Sequence, residues 1–315
     1  MSSILLRTES AASSRIESLT AGARALALAE LVSPTTRNAS IVSGNVRAME
    51  AALEVGSSID ASSVLAMHHA LMEPNGDPQP GRWRTEQVWI GGSDIGPHRA
   101  AFVPPHHDRL PDALDDLFEF AARSDLPVIP HVAITHAQFE TLHPFKDGNG
   151  RVGRAMIHGM LRRAEVTERV TVPLSTGLLT DTAGYFESLD AYRRGDVDAI
   201  VRSLTAATFH AVTGGRRLVD DLAAARADYA ERVVARSDSV VWPLLDALVA
   251  QPVVNNAYVR GTFGVSEIAA QRAIDKLTEA SVLHQTSKGR RNRIWQADDI
   301  LAALDHFADG IRRVR

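Results

Sequence analysis

The chain has 315 residues, no cysteine and a formal net charge of −4. The lack of cysteine excludes a disulfide framework, a thiol nucleophile and cysteine-held zinc or iron–sulfur sites, and it fits a reducing compartment. At roughly 150 residues per domain the length predicts about two domains, each able to bury its own core, and the near-balanced charge singles out neither nucleic acid nor an acidic tail.

Aromatic residues are only 5%, which suits a helical protein better than a β-sandwich. No apolar run reaches the roughly 18 residues that a membrane helix needs. The opening MSSILLRTES holds one basic residue and a three-residue apolar patch, too little for a secretory leader. A soluble, cytoplasmic protein is expected.

In chain order, Ala25–Leu31, Asn45–Glu54 and Ser63–Met72 carry apolar residues at helical rather than strand spacing. EPNGDPQPG, Glu73–Gly81, is a loop by its prolines and glycines. EQVWIGG (Glu86–Gly92) and AFVPP (Ala101–Pro105) are short β-favouring pieces and predict a hairpin in a mostly helical region. Helices are predicted again over Leu110–Ala122, Val128–Leu142 and Arg151–Ala164. From about Val240 the order becomes helix (Val240–Ala250), short turn-like piece (Asn256–Thr262), helix (Ser266–Ala280, with Ser266 as N-cap) and two short strands around the basic turn SKGRRN. That is the order of a winged helix-turn-helix. The expected division is an N-terminal helical region 1–57, a central domain 58–209, a linker helix 210–238 and a winged helix-turn-helix domain 239–315.

The chemistry concentrates in His143–Arg154, HPFKDGNGRVGR. Pro144 stops the preceding helix near His143. Three glycines and an asparagine then form a loop whose amides converge on the next helix N-terminus, a ready anion site. Arg151 and Arg154 lie on one side of the first helical turn. Cations there oppose the helix dipole, which makes sense if a multiply anionic group sits between them. Asp147 offers an oxygen to a hard cation such as Mg²⁺, and His143 is the natural general base. Together these residues describe phosphoryl or nucleotidyl transfer. GNGRVG within the run formally matches the dinucleotide pattern GxGxxG, with Glu168 about twenty residues on. That pattern needs a preceding strand, and here a helix-spaced segment and a proline precede it.

HPFKDGNGRVGR resembles the signature of the Fic family, HxFx(D/E)GNGRxxR, with every fixed position filled. The upstream AITHAQFETLHPF, the pieces VWIGG and AFVPP, and the segment SSRIES resemble the larger class of Fic proteins with an N-terminal helical extension. The likeness spans about residues 10–210. It implies a mainly α fold with a β-hairpin flap, and the transfer of AMP from ATP to a hydroxyl side chain of a target protein. By that resemblance His143 would deprotonate the target hydroxyl and Asp147 would hold Mg²⁺. Gly148, Asn149 and Gly150 would cradle the phosphates, and Arg151 and Arg154 would bind the triphosphate. Gly150 stands where the related Doc kinases have lysine. Val88, Trp89 and Ile90 with Ala101, Phe102 and Val103 would be the flap that registers a target peptide by strand addition. Phe186 and Leu189 would line an adenine pocket.

The family's inhibitory helix carries (S/T)xxxE(G/N), and Ser13–Ser18 reads SSRIES. Ser13 and Glu17 fit, while Ser18 replaces Gly or Asn. A Glu17 carboxylate on Arg154 would occupy the arginine meant for the γ-phosphate. A second stretch, SIVSGN (Ser40–Asn45), has Gly44 where the glutamate should be.

At the wing, Lys288, Arg290, Arg291 and Arg293 offer contacts to DNA phosphates, although the helix before them mixes Glu267, Asp275 and Glu279 with Arg272 and Lys276. His106 and His107 read as a surface loop, and His136 as a core residue of its helix. Two rival readings remain. One is a DNA-binding regulator whose Fic unit senses nucleotide. The other is a Fic enzyme with another phosphate donor, or one running in reverse as a de-AMPylase. Family members are often homodimers, but nothing in the sequence fixes an interface.

Overall fold

Helical apolar spacing dominates the chain, and the computed structural model is correspondingly helical. It describes residues 2–31, 37–54, 58–92, 96–167, 170–287 and 293–310. The N-terminal helices are α1 (Ser2–Ile16), α2 (Ala23–Leu31), α3 (Arg37–Glu54) and α4 (Ala61–Met72). The central set is α5 (Leu110–Ala122), α6 (Val128–Leu142), α7 (Asn149–Arg163), α8 (Leu174–Leu178) and α9 (Thr182–Arg193). α10 (Val197–Arg232) then leads to α11 (Val241–Ala250), α12 (Asn256–Phe263), α13 (Glu267–Glu279) and α14 (Asp298–Gly310). No helix among the described residues is long and apolar enough to cross a membrane.

Local chemistry explains the well-placed ends. Asp60 caps α4 by accepting from the Ser63 amide, and Ser63 reciprocates to the Asp60 amide. Ser266 caps α13 by accepting from the Ala269 amide, as expected from sequence. α5 and α6 run over the predicted spans.

The core has two main parts. The first collects Met49, Met67, Leu71, Leu117, Phe139, Phe145, Met156 and Ile157 with Ile200 and Leu204 of α10. The second collects Leu218, Leu222 and Tyr229 of α10 with Leu244, Leu248, Val259, Ile274 and Trp295. α10 thus belongs to both, and the expected boundary at 209/210 falls inside one unbroken helix. α1 also spans both: Leu6 and Ile16 enter the first part, Ile4 and Leu5 the second.

In the C-terminal unit, β1 (Val253–Val254), β2 (His284–Gln285) and β3 (Trp295–Gln296) form an antiparallel sheet in the order β1-β3-β2. β1 and α14 were absent from the sequence reading, which expected only the β2–β3 hairpin. The expected hairpin at 86–105 is reduced to a single antiparallel bridge between Ile90 and Phe102. Gly91 and Gly92 turn left-handed directly after Ile90, at φ 73° and 84°, and end the pairing there.

Candidate active site

The anion loop between α6 and α7 is held from inside. α6 stops at Leu142 because Pro144 cannot continue it, and His143 takes a left-handed conformation at φ 49°. The Asn149 side chain then closes the loop on Phe145. Its Oδ1 accepts from the Phe145 amide and its Nδ2 donates to the Phe145 carbonyl, each at 2.8 Å. Asn149 is therefore a strut of the loop with its side chain buried; the expectation that it cradles phosphate passes to the backbone. Gly148 sits at φ 80°, and a Cβ there would meet Leu71 Cδ2 at 3.0 Å, so conformation and space both require glycine. His68 of α4 stacks on Phe145 at 3.7 Å between ring centres. Its Nδ1 accepts from the Gly81 amide, so Nε2 carries the proton and donates to the Asp147 carbonyl. Buried Arg84 ties the outer side, donating to the carbonyls of His143, Leu142, Glu86 and Pro105.

Burial pushes the His143 imidazole down to about 4, so it is neutral at neutral pH, and its Nδ1 lacks a hydrogen-bond partner. The Asp147 carboxylate stands at the loop mouth, 70% exposed, with Arg151 Nη2 at 3.3 Å. Arg151 is buried, and its Nε has no partner. Arg154 is 1% exposed. Burial works against its charge, yet the neighbouring Glu17 carboxylate, followed by Tyr185 and Glu140, holds its pKa above the ordinary value. Two buried guanidiniums at the positive end of α7 form a strong local field for an anion.

α1 crosses this field antiparallel to α7. Arg154 donates from Nε to Ser13 Oγ at 2.9 Å, and from Nη2 to the Ser13 carbonyl and to Glu17 Oε1, both at 2.8 Å. The Glu17 carboxylate lies directly over Gly150, where even a methyl group would collide with it. α1 ends at Ile16 and Ser18 adopts φ 62°, the conformation that favours glycine or asparagine. The Leu19 amide returns to the Ser14 carbonyl to close the helix end. Asn45, the last residue of the rejected stretch SIVSGN, donates to the Ser10 carbonyl and to Ser14 Oγ and so supports α1 from behind.

Sequence reasoning missed the polar box beneath Arg154. His136 bonds the Tyr185 hydroxyl at 2.7 Å, and burial pushes its imidazole down to about 3. Glu140, buried with Oε1 unpartnered, is pushed up to about 7 by burial. Both face Gly153, where a Cβ would lie 2.8 Å from Glu140 Oε1. The available signal was helical spacing: His136, Glu140 and His143 share one face of the α6 end.

Residues 58–161 match the Fic/DOC family. Those residues are a Fic domain. The chain is 30% identical over 148 residues to "Protein adenylyltransferase fic-1" of Caenorhabditis elegans, covering 46% of this chain and 26% of that one. It is 32% identical over 88 residues to "Probable protein adenylyltransferase aq_aa38" of Aquifex aeolicus, covering 25% of this chain and 28% of that one. The chain thus spans about a quarter of the length of these curated relatives. In fold it is similar to the crystal structure of a Fic family protein from Desulfovibrio desulfuricans G20. The TM-score is 0.58 at 21% identity, over 93% of this chain and 86% of that one.

The remaining expected residues fall in three groups. In the flap region, the Ile90 amide donates to the Phe102 carbonyl and the Ala101 amide to the Ile90 carbonyl. Val88, Trp89 and Ile90 are half-buried and Val103 is exposed. Arg193 lies 4.1 Å over the Phe102 ring. Of the two residues expected at the adenine pocket, Leu189 is buried in the core, whereas Phe186 is 45% exposed beside Tyr185. In the C-terminal unit, Lys288, Arg290 and Arg291 lie outside the described residues, as does Glu168 of the dinucleotide decoy. Arg293 donates to Gln271 and lies over the Trp295 ring at 5.0 Å. The exposed face of α13 sets Glu267, Asp275 and Glu279 beside Arg272 and Lys276, so it does not favour a polyanion.

Proposed function

We propose that this protein transfers AMP from ATP to a hydroxyl side chain of a protein, and that α1 holds the reaction off. The observation that carries the reading is Arg154. It is a buried cation on the first turns of α7, and its carboxylate partner, Glu17, follows the end of α1 and lies over Gly150. The name shared by the relatives, protein adenylyltransferase, supports the same class.

In this reading the target hydroxyl oxygen forms a bond to the α-phosphorus, the bond to pyrophosphate breaks, and the hydroxyl proton passes to the His143 imidazole. Burial keeps that imidazole in the proton-accepting form. The amides at Gly148–Gly150 and the α7 N-terminus bind phosphate oxygens, and Arg151 and Arg154 balance their charge. The exposed Asp147 carboxylate fits Mg²⁺, which takes one or two carboxylates together with phosphate oxygens. Bound there, the ion would supply further charge neutralisation. With Glu17 on Arg154, the γ-phosphate loses its arginine, and ATP binds in an unproductive pose. Ile90 and Phe102 offer backbone groups for strand addition by a target segment.

The test is incubation with Mg²⁺ and ATP labelled on either the α- or the γ-phosphate. Label retained from the α position and not from the γ position is expected, and it is lost in His143→Ala. Retention of the γ label would replace the reading with phosphate transfer, and an adduct that persists in His143→Ala would remove the histidine from its role.

A further inference from the structure

α1 and α7 meet as an antiparallel ladder with a rung every four residues. Glu17 lies over Gly150 and Ser13 binds Arg154. One turn further, Glu9 Oε1 accepts from His158 Nε2 at 2.9 Å. The first two rungs belong to the inhibitory pattern read above; the third does not. Glu9 is completely buried and His158 is 2% exposed. The Glu9 carboxylate also accepts from Ser175 Oγ at 2.5 Å and from the Ser175 amide at 2.7 Å. That amide belongs to the first turn of α8, where helical amides lack an internal partner. One carboxylate therefore joins three helices.

In the middle of α1, where it crosses α7, apolar packing gives little help in choosing the register, because the large buried residues Ile4, Leu5, Leu6 and Ile16 stand towards its ends. The relevant stretch of α1 reads ESAASS, and its buried positions Ser10, Ala12, Ser13 and Ser14 are small. A slide by one turn moves the helix about 6 Å and can put Ser14 at the place of Ser10 and Ser18 at the place of Ser14, small residues again. The same slide strips Glu9 of all three donors, and an unpaired buried carboxylate is strongly disfavoured. Buried ionic groups contribute little net stability against an apolar replacement, and their best-attested use is to fix register.

We propose that Glu9 and His158, with Ser175, are positioning residues of the brake: they set the register that lands Glu17 on Arg154. The proposal rests on the autoinhibitory reading of Glu17, and the experiment separates the two. Auto-modification with ATP and Mg²⁺ is measured for the full chain as wild type, Glu9→Gln, Glu9→Ala and Ser175→Ala, each with and without Glu17→Gly, alongside hydrogen exchange of the α1 amides.

Glu9→Gln and Glu9→Ala should raise modification about fivefold or more, the lower end of ordinary coupling between sites, and should speed exchange in α1. Ser175→Ala, which leaves the Glu9–His158 bond in place, should give a smaller rise and serves if the Glu9 variants fail to fold. In the Glu17→Gly background the same substitutions should change activity by less than about twofold, because a released brake has no register left to set. Equal losses of activity in both backgrounds would reduce Glu9 to a structural role and overturn the proposal. So would wild-type activity together with unchanged α1 exchange. If Glu17→Gly itself changes nothing, the autoinhibitory reading fails, and α1 exchange in the Glu9 variants still decides whether the cluster fixes the helix.

Discussion

The two sides of the anion loop are built differently. On the α4 side every fixture is local or permanent: Asn149 closes on Phe145 and His68 stacks under the same ring. On the α1 side Arg154 is satisfied by Ser13 and Glu17, some 140 residues distant in sequence. The first side makes the loop rigid without reference to α1. The second supplies a carboxylate that, in the proposed reading, leaves while the loop keeps its shape.

The largest effect should come from breaking the rigid side. Asn149→Ala leaves the buried amide and carbonyl of Phe145 without partners, at about 1–3 kcal/mol each. Activity should fall at least about a hundredfold, the equivalent of about 2.7 kcal/mol, and Glu17→Gly should not restore it; rescue by Glu17→Gly would mean that the loop does not hold itself. Next comes the removable side. Glu17→Gly should raise auto-modification about tenfold or more, the equivalent of about 1.4 kcal/mol, and should lower the melting temperature, because it strips the buried Arg154 guanidinium of its carboxylate.

A pH profile sharpens the contrast further. Burial holds His143 near 4 and the Glu17 carboxylate raises it slightly. Activity that needs the neutral ring is lost only as pH falls through that value. The acid limb of kcat/KM in Glu17→Gly should therefore lie well below the ordinary histidine value of about 6.5; a limb near 6.5 would place the base in water. The smallest effect is at Ser18. Its left-handed backbone costs about 1 kcal/mol in a non-glycine residue, so Ser18→Gly should lower basal activity up to about fivefold and raise the melting temperature slightly. Unchanged activity would mean that the helix end does not set the brake.

The catalytic run was legible because its chemistry is contiguous. Pro144, the glycines and the spacing of Arg151 and Arg154 all act within twelve residues, and they place the α6 end and the α7 start to within two. Glu17 was legible because a short motif carries it and because the carboxylate has an evident target. Glu9 was not: a glutamate on a small-residue helix reads as solvated until the fold brings His158 and Ser175 to it. The box of His136, Glu140 and Tyr185 was hidden for a related reason, since burial, not sequence spacing, unites α6 with α9. The hairpin at 86–105 was over-read. β-favouring residues were present, but among the described residues the left-handed Gly91 and Gly92 end the pairing on the turn side, and Pro104 and Pro105, which lack an amide hydrogen, end it on the other. The boundary expected at 209/210 lies inside α10, which changes partners, from Leu204 in one core to Leu218 in the other, without changing its helical pattern.

The central claim is that a removable carboxylate, and nothing in the loop itself, keeps Arg154 from its substrate. Intact-mass analysis of wild type beside Glu17→Gly, after incubation with ATP and Mg²⁺, tests it most directly. The account predicts AMP adducts that accumulate quickly in Glu17→Gly, slowly in wild type and not at all when His143→Ala is added. Equal adduct formation in wild type and Glu17→Gly would contradict it.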